Sequence, residues 1–190
     1  MAMTVLSSLL IRARQYGREN WKRHLRTLTF MLAILVAVQT WQTRSVPGGL
    51  APDFELVLLQ PDGSATKSTL QAWRSLHPGQ PVALHFWADW CPICRTEENS
   101  ITRLATDEVV LTVAMQSGPP AKVHKVLQTR NLSWPAAVDE SGNATHAFGF
   151  KAVPAFVVVD SNGYLRTPTM GYTTEMGMRF RLWWADLIKA

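Results

Sequence analysis

Cysteine is scarce in this chain: there are two in 190 residues, Cys91 and Cys94. Two thiols exclude a four-cysteine zinc site and a disulfide framework. His24, His77, His85, His124 and His146 form no pair at ligand spacing, so no metal site is expected. Charge is scarce as well, at 17% of residues, while 47% are hydrophobic. That balance excludes a disordered chain. Beyond residue 26 there is no excess of basic residues. Arg12, Arg14, Arg18, Lys22, Arg23 and Arg26 against Glu19 account for the whole formal charge of +5. The remainder carries thirteen basic and thirteen acidic residues, which gives no footprint for nucleic acid. Internal repeats and low-complexity segments are lacking too.

What is present begins with one long apolar run. TLTFMLAILVAVQTWQT, residues 27–43, carries no charge. As a helix it spans about 26 Å, the short end of what a bilayer requires. Trp41 sits where an interfacial aromatic would lie, and the basic residues precede the run. The expected organisation is a cytoplasmic basic tail over 1–26, a transmembrane signal anchor over 27–43, a linker over 44–53 and a folded domain over 54–190. A cleaved signal peptide and a buried core helix are the competing readings. Ala37-Val38-Gln39 is a poor cleavage site, and so polar a flank is unusual before a core helix. No cysteine follows the run, so a lipid-modified cysteine is not expected.

The domain reads as alternating strands and helices. Strands are predicted over Phe54–Leu59, Pro81–Trp87, Val109–Met115, Pro135–Val138, Ala155–Val159 and Tyr164–Met170. Pro61-Asp62-Gly63 and Asp160-Ser161-Asn162-Gly163 supply turns. Helices are predicted over Ser68–Leu76, Pro92–Leu104, Pro120–Arg130, Asn143–Phe150 and Thr174–Lys189. In the last, Met176, Phe180, Trp183, Trp184, Leu187 and Ile188 recur at helical spacing and are assigned to the core. The order implies an α/β sandwich with its chemistry at the end of a strand, where a helix begins.

That junction holds both cysteines. A disulfide closing so short a loop constrains the unfolded chain little, so a structural staple is a weak account. Cys-x-x-Cys between a strand and a helix points to redox chemistry. Cys91 at the helix N-terminus meets unpaired N–H groups and the helix dipole, which favour a thiolate. A lowered pKa makes it both nucleophile at neutral pH and leaving group. Cys94, one turn on and inward, is placed to attack a mixed disulfide.

Phe86-Trp87-Ala88-Asp89-Trp90-Cys91-Pro92-Ile93-Cys94-Arg95 resembles the active-site segment of the thioredoxin superfamily, and Val153-Pro154 resembles its cis-proline loop. The resemblance covers about residues 51–190 and is weakest over 116–150. It implies a thioredoxin-like sandwich, a central mixed sheet flanked by helices, preceded here by one N-terminal transmembrane helix. The anchor, Ala51-Pro52-Asp53-Phe54 and Glu97 resemble the narrower membrane-anchored, periplasm-facing TlpA, ResA and DsbE-like group. Cys-Pro-Ile-Cys with His85 resembles the ScsD type, linked to copper-sensitivity suppression. The resemblance implies that Cys91 attacks, Cys94 resolves, and Pro154 is cis, leaving the Val153 backbone open to pair with a substrate. Trp90 is expected to shield the cysteines, with Trp87 in the core. Where thioredoxins keep a buried Asp, this chain has His85, on the strand face opposite Phe86. Either it relays a proton to or from Cys94 or it is a core histidine. Glu97 is the other candidate for proton traffic, or else a solvated helix-face carboxylate.

No cofactor is expected, because the cysteine pair itself carries the electrons. The motif does not fix their direction. The resemblance favours reduction of a periplasmic client protein's disulfide at the bacterial inner membrane, with electrons from a membrane donor of the DsbD/ScsB kind. The alternatives are a thiol oxidase of the same fold, a peroxidase on a related fold, and a non-enzymatic Cu(I)-binding module. Met115, Met170 and Met176 show no clustered spacing and are not expected to join a copper site.

Overall fold

A computed structural model describes residues 2–60 and 62–188, with side chains from Asn20 onward. Pro61 of the first turn, Lys189 of the last helix, and the side chains of Arg12, Arg14, Arg18 and Glu19 lie outside the described residues. The chain divides into an N-terminal unit ending at Trp41 and a compact unit beginning at Gln42.

The described part of the N-terminal unit is helical and belongs to α1, which runs over Ala2–Thr43. The expected tail and apolar run are thus continuous helix. Within it, Asn20–Thr43 is long and apolar enough to cross a membrane, and none of it is buried by protein.

The second unit contains β1 (Glu55–Leu59), β2 (Ala65–Thr69), α2 (Leu70–Arg74), β3 (Val82–Trp87), α3 (Pro92–Asp107), β4 (Val110–Met115) and α4 (Pro120–Thr129). These are followed by β5 (Ala136–Asp139), α5 (Asn143–Ala147), β6 (Ala155–Val159), β7 (Leu165–Met170) and α6 (Glu175–Leu187). The seven strands form one sheet in the order β2-β1-β5-β4-β3-β6-β7. β3, β4 and β5 run parallel, and the remaining pairings are antiparallel. The chain has the expected thioredoxin-like mixed sheet.

All six residues of β3 are buried, as befits an apolar central strand. Its side chains alternate between two cores. Trp87 joins Ile101, Leu104, Val123 and Leu182 under α3, α4 and α6. Leu84 and Phe86 join Leu70, Trp73, Phe148 and Phe150 under α2 and the α5 segment. Phe86 lies between Phe148 and Phe150, with ring centroids 5.3 and 5.0 Å away.

Two expectations are corrected. Residues 65–69 form an edge strand, so the helix expected from Ser68 begins at Leu70, capped by the Thr69 hydroxyl accepting from the Ala72 N–H at 3.0 Å. The aromatic stripe of α6 is not core. Met178, Leu182 and Ala185 face inward, whereas Met176, Phe180, Trp183, Trp184 and Leu187 are exposed and Ile188 is half-buried. Two apolar stripes share the helical spacing, and the slimmer one fits against α3, β6 and β7.

Candidate active site

β3 ends at Trp87, three residues turn the chain, and Cys91 becomes the N-cap of α3 with extended backbone (φ −86°, ψ 110°). Pro92 occupies the first helical position, where its missing N–H costs nothing. The Cys91 sulfur accepts the Cys94 N–H at 3.1 Å. Cys91 and Cys94 are joined as a disulfide with their Cα atoms 5.3 Å apart. Each is 3% exposed. The rim beside them is apolar and open: Trp90 and Ile93 are both exposed.

Ala155 at the start of β6 pairs with Phe86, which brings the preceding residues beside the end of β3. Val153-Pro154 is a cis peptide, as expected, and the Val153 carbonyl lies 3.7 Å from the Cys91 sulfur.

The turn before Cys91 is moored by groups that motif reading did not single out. The Asp89 N–H donates to the Ser117 hydroxyl at 3.0 Å, and its carbonyl accepts Arg130 Nη2 at 3.0 Å. Lys122 pairs with the Asp89 carboxylate at 2.7 Å, and Arg130 with Glu98 at 2.7 Å. Trp90 Nε1 donates to the Gln116 carbonyl at 3.2 Å; Gln116 itself has φ 46°. The partners come from β4, α4 and their loops, far off in sequence, and no local pattern marks them.

Beneath the disulfide lies a buried polar pair. Cys94 and Glu97 are one turn apart on the inward side of α3. Glu97 is 1% exposed, so it is not a solvated helix-face carboxylate. Its Oε1 accepts the Thr173 N–H at 2.5 Å, while Oε2 has no hydrogen-bond partner. His85, also 1% exposed, has both ring nitrogens unpartnered. Its Nδ1 stands 3.9 Å from Glu97 Oε2, and its ring is edge-on to Trp134. That gap is too long for a hydrogen bond. Burial pushes the Glu97 carboxyl up from 4.5 to about 7, opposed by the Thr173 N–H. Burial holds His85 down from 6.5 to about 3. At neutral pH the imidazole is therefore uncharged and the two are not an ion pair. Burial thus puts the Glu97 carboxyl, and not the His85 imidazole, in the range near neutrality.

Among the described residues, no group of three or more His, Cys, Asp or Glu could hold a metal. The arrangement offers a two-electron dithiol–disulfide couple, an open backbone segment beside it, and a carboxyl that titrates near neutrality.

Residues 47–167 match the AhpC/TSA family. A thioredoxin-like protein of Haemophilus influenzae is 30% identical over 113 residues, covering 59% of this chain and 67% of its own. The thiol-disulfide oxidoreductase ResA of Geobacillus thermodenitrificans is 26% identical over 75% of this chain and 80% of its own. The crystal structure of the exposed lipoprotein thioredoxin Etrx1 of Streptococcus pneumoniae superposes with TM-score 0.54 at 26% identity. It covers 69% of this chain and 98% of that one.

Proposed function

From the premise that the chain belongs to the AhpC/TSA family, we propose that it is a thiol-disulfide oxidoreductase of the ResA/DsbE type, tethered by α1 and reducing client disulfides. The observation that carries this is the Cys91–Cys94 pair at the N-terminus of α3, its attacking sulfur beside the Val153 carbonyl.

The Cys91 thiolate attacks one sulfur of the client disulfide, forms a mixed disulfide and releases the first client thiolate. Cys94, deprotonated, attacks the Cys91 sulfur. The Cys91–Cys94 disulfide forms and the second client thiolate leaves. Two electrons pass to the client, whose two thiolates take up two protons. The Cys94 N–H already directed at the Cys91 sulfur stabilises the first thiolate. Glu97 is the group assigned to take the Cys94 proton. His85 stays neutral beside it, so it puts no cation there to offset the burial that raises that carboxyl to about 7. Val153 and Pro154 receive the client's backbone, and Trp90, Pro92 and Ile93 form the surface it meets.

The finer assignment is to the ScsD type, facing the periplasm from a bacterial inner membrane. The basic residues ahead of Asn20–Thr43 support that topology. Anchoring keeps the domain close to a membrane electron donor of the DsbD/ScsB kind. A role in copper tolerance follows from repair of copper-driven disulfides.

The test is reduction of a disulfide-bonded peptide by the full chain in detergent, run beside Cys91→Ser and Cys94→Ser variants. The expected result is turnover by the parent, none by Cys91→Ser, and a trapped peptide adduct on Cys94→Ser. A reduced chain that leaves the peptide oxidised but binds Cu(I) stoichiometrically would overturn the reading in favour of a copper module.

A further inference from the structure

The sheet order sets what flanks Cys91. β4 lies on one side of β3, and β6 then β7 lie on the other. One end of each reaches the disulfide. β3 and β4 run parallel, so the chain leaves β4 there, after Met115. β6 begins there, with Ala155 opposite Phe86, and β7 finishes there, with Met170 opposite Ala155. Each flank carries one exposed aromatic side chain. Trp90 leans on the β4 side, and Tyr172 follows two residues after β7, beyond Pro154.

Both are held from behind. Gln116, whose carbonyl takes the Trp90 indole N–H, is the first residue past β4. Its own N–H donates to the Asp139 carbonyl at 2.8 Å, and its Nε2 to the Ser141 carbonyl at 3.3 Å. The backbone is pinned on both sides of Tyr172. The Gly171 N–H donates to the Pro154 carbonyl at 2.8 Å, and the Thr173 N–H to Glu97. Gly171 has φ 91°, and a Cβ there would meet nothing within 4 Å among the described residues, so the strand end beside Tyr172 is open. The fold thus leaves Trp90 58% and Tyr172 56% exposed on a fixed backbone. Trp and Tyr so presented are the side chains that dominate binding surfaces, and a fixed backbone keeps the ordering cost low.

Their spacing matches a peptide. From β4 to β7 is three strand separations, about 14 Å. The Cys91 sulfur stands between, 3.7 Å from the Val153 carbonyl that leads into β6. Extended chain advances about 3.4 Å per residue, so about four residues cover that span. Side chains of an extended chain alternate, and residues two apart share a face. A client cysteine turned towards Cys91 therefore turns the side chains two before and two after it to the same surface, at the spacing of the two aromatics. The surface between them is apolar, with Pro92 and Ile93 exposed. The carboxylate nearest Trp90, that of Asp89, is paired with Lys122 at 2.7 Å.

We propose, resting on the client-reduction reading above, that Trp90 and Tyr172 select the client: an extended segment with a large apolar side chain at the second residue before its cysteine and at the second residue after it. One such side chain packs on the Trp90 indole and the other on the Tyr172 ring. Tyr172 is thereby a specificity-determining residue for disulfide reduction. Side chains adjacent to the client cysteine point away from this surface and contribute little to the choice.

The test uses the reduced full chain in detergent and symmetric disulfide-linked dimers of short alanine-based peptides with a central cysteine. Phe is placed two residues before the cysteine, two after, or at the adjacent positions. Stopped-flow gives the rate constant for reduction of each peptide, divided by that peptide's own rate with dithiothreitol. The quantity compared is the ratio of each Phe peptide to the alanine peptide, so a general loss from displacement of Thr173 and Glu97 cancels. The expected result is a gain of about tenfold for Phe at each second position and none at the adjacent ones. Tyr172→Ala should abolish the gain at one second position and keep it at the other, and Tyr172→Phe should keep both. Equal gains at adjacent and second positions, or gains that Tyr172→Ala leaves whole at both second positions, overturn the selection and leave the reductase standing. A parent that reduces none of the peptides overturns the client-reduction reading and the selection with it.

Discussion

Glu97→Gln isolates the buried carboxyl one turn along α3 from Cys94. The buried carboxyl titrates at about 7 in the fold against a usual 4.5. Folded chain therefore binds a proton that unfolded chain has released between those values. Stability falls as pH rises from 4.5 to 7 and is level above. Each pKa unit is worth about 1.36 kcal/mol, so the loss reaches about 3 kcal/mol. His85 acts with the opposite sign. Its folded value of about 3 lies below the usual 6.5, so its contribution is lost as pH falls from 6.5 to 3. Between 4.5 and 6.5 the two slopes cancel, and the parent is nearly flat there. Gln keeps an oxygen for the Thr173 N–H and carries no charge. The variant should rise up to pH 6.5 and stay level, so variant minus parent grows by about 3 kcal/mol between pH 4.5 and 7. Urea unfolding of the oxidised full chain in detergent, followed by tryptophan fluorescence at each pH, measures that difference. A difference independent of pH would refute a carboxyl that is buried and ionises near neutrality.

Other outcomes follow from the same geometry. His85→Leu should unmask the Glu97 slope, so that the variant gains stability as pH falls from 7 to 4.5 where the parent is nearly flat, and should remove the parent's loss below pH 4.5, measured by the same unfolding series. Resolution of a mixed disulfide formed on Cys91 should follow the Glu97 titration near pH 7; stopped-flow against pH should show that dependence vanish in Glu97→Gln. It should persist in His85→Ala, with its midpoint displaced; an unmoved profile excludes any part for His85. Arg130→Ala removes the pair with Glu98 and a bond to the Asp89 carbonyl, at a cost of about 1–2 kcal/mol. That corresponds to a fall in Tm of roughly 5 °C by calorimetry. The reduced chain should consume no hydrogen peroxide in a thiol-dependent assay; sustained turnover would favour a peroxidase.

Much of the fold was legible because its signals are local. A buried β3, a proline at the first position of α3 and the turn at Gly163 each announce themselves within a few residues. β2 was not legible, because Ala65–Thr69 is a polar edge strand held by pairing with β1 rather than by an apolar face. Nor was the orientation of α6. Its aromatics and the Met178, Leu182, Ala185 stripe have the same period, and only packing against α3 and the sheet selects between them. The cysteines were legible from spacing and position. The mooring of the turn by Ser117, Lys122 and Arg130 was not, since each contact spans 28 to 41 residues or joins separate elements.

The buried pair bears on two candidates for proton traffic that a local reading leaves open, His85 and Glu97. An imidazole opposite a cysteine invites a proton relay, because histidine ordinarily titrates near neutrality. Here that property has passed to the neighbour. The same desolvation that lowers His85 to about 3 raises Glu97 to about 7, because burial disfavours charge of either sign. The carboxyl thereby acquires the working range that a histidine has in water. Glu97 lies one turn from Cys94 on the same helix with a carboxyl raised to about 7, which supports the proposed proton transfer. A neutral imidazole at position 85 leaves Glu97 as the one member of this buried pair that changes charge near neutrality.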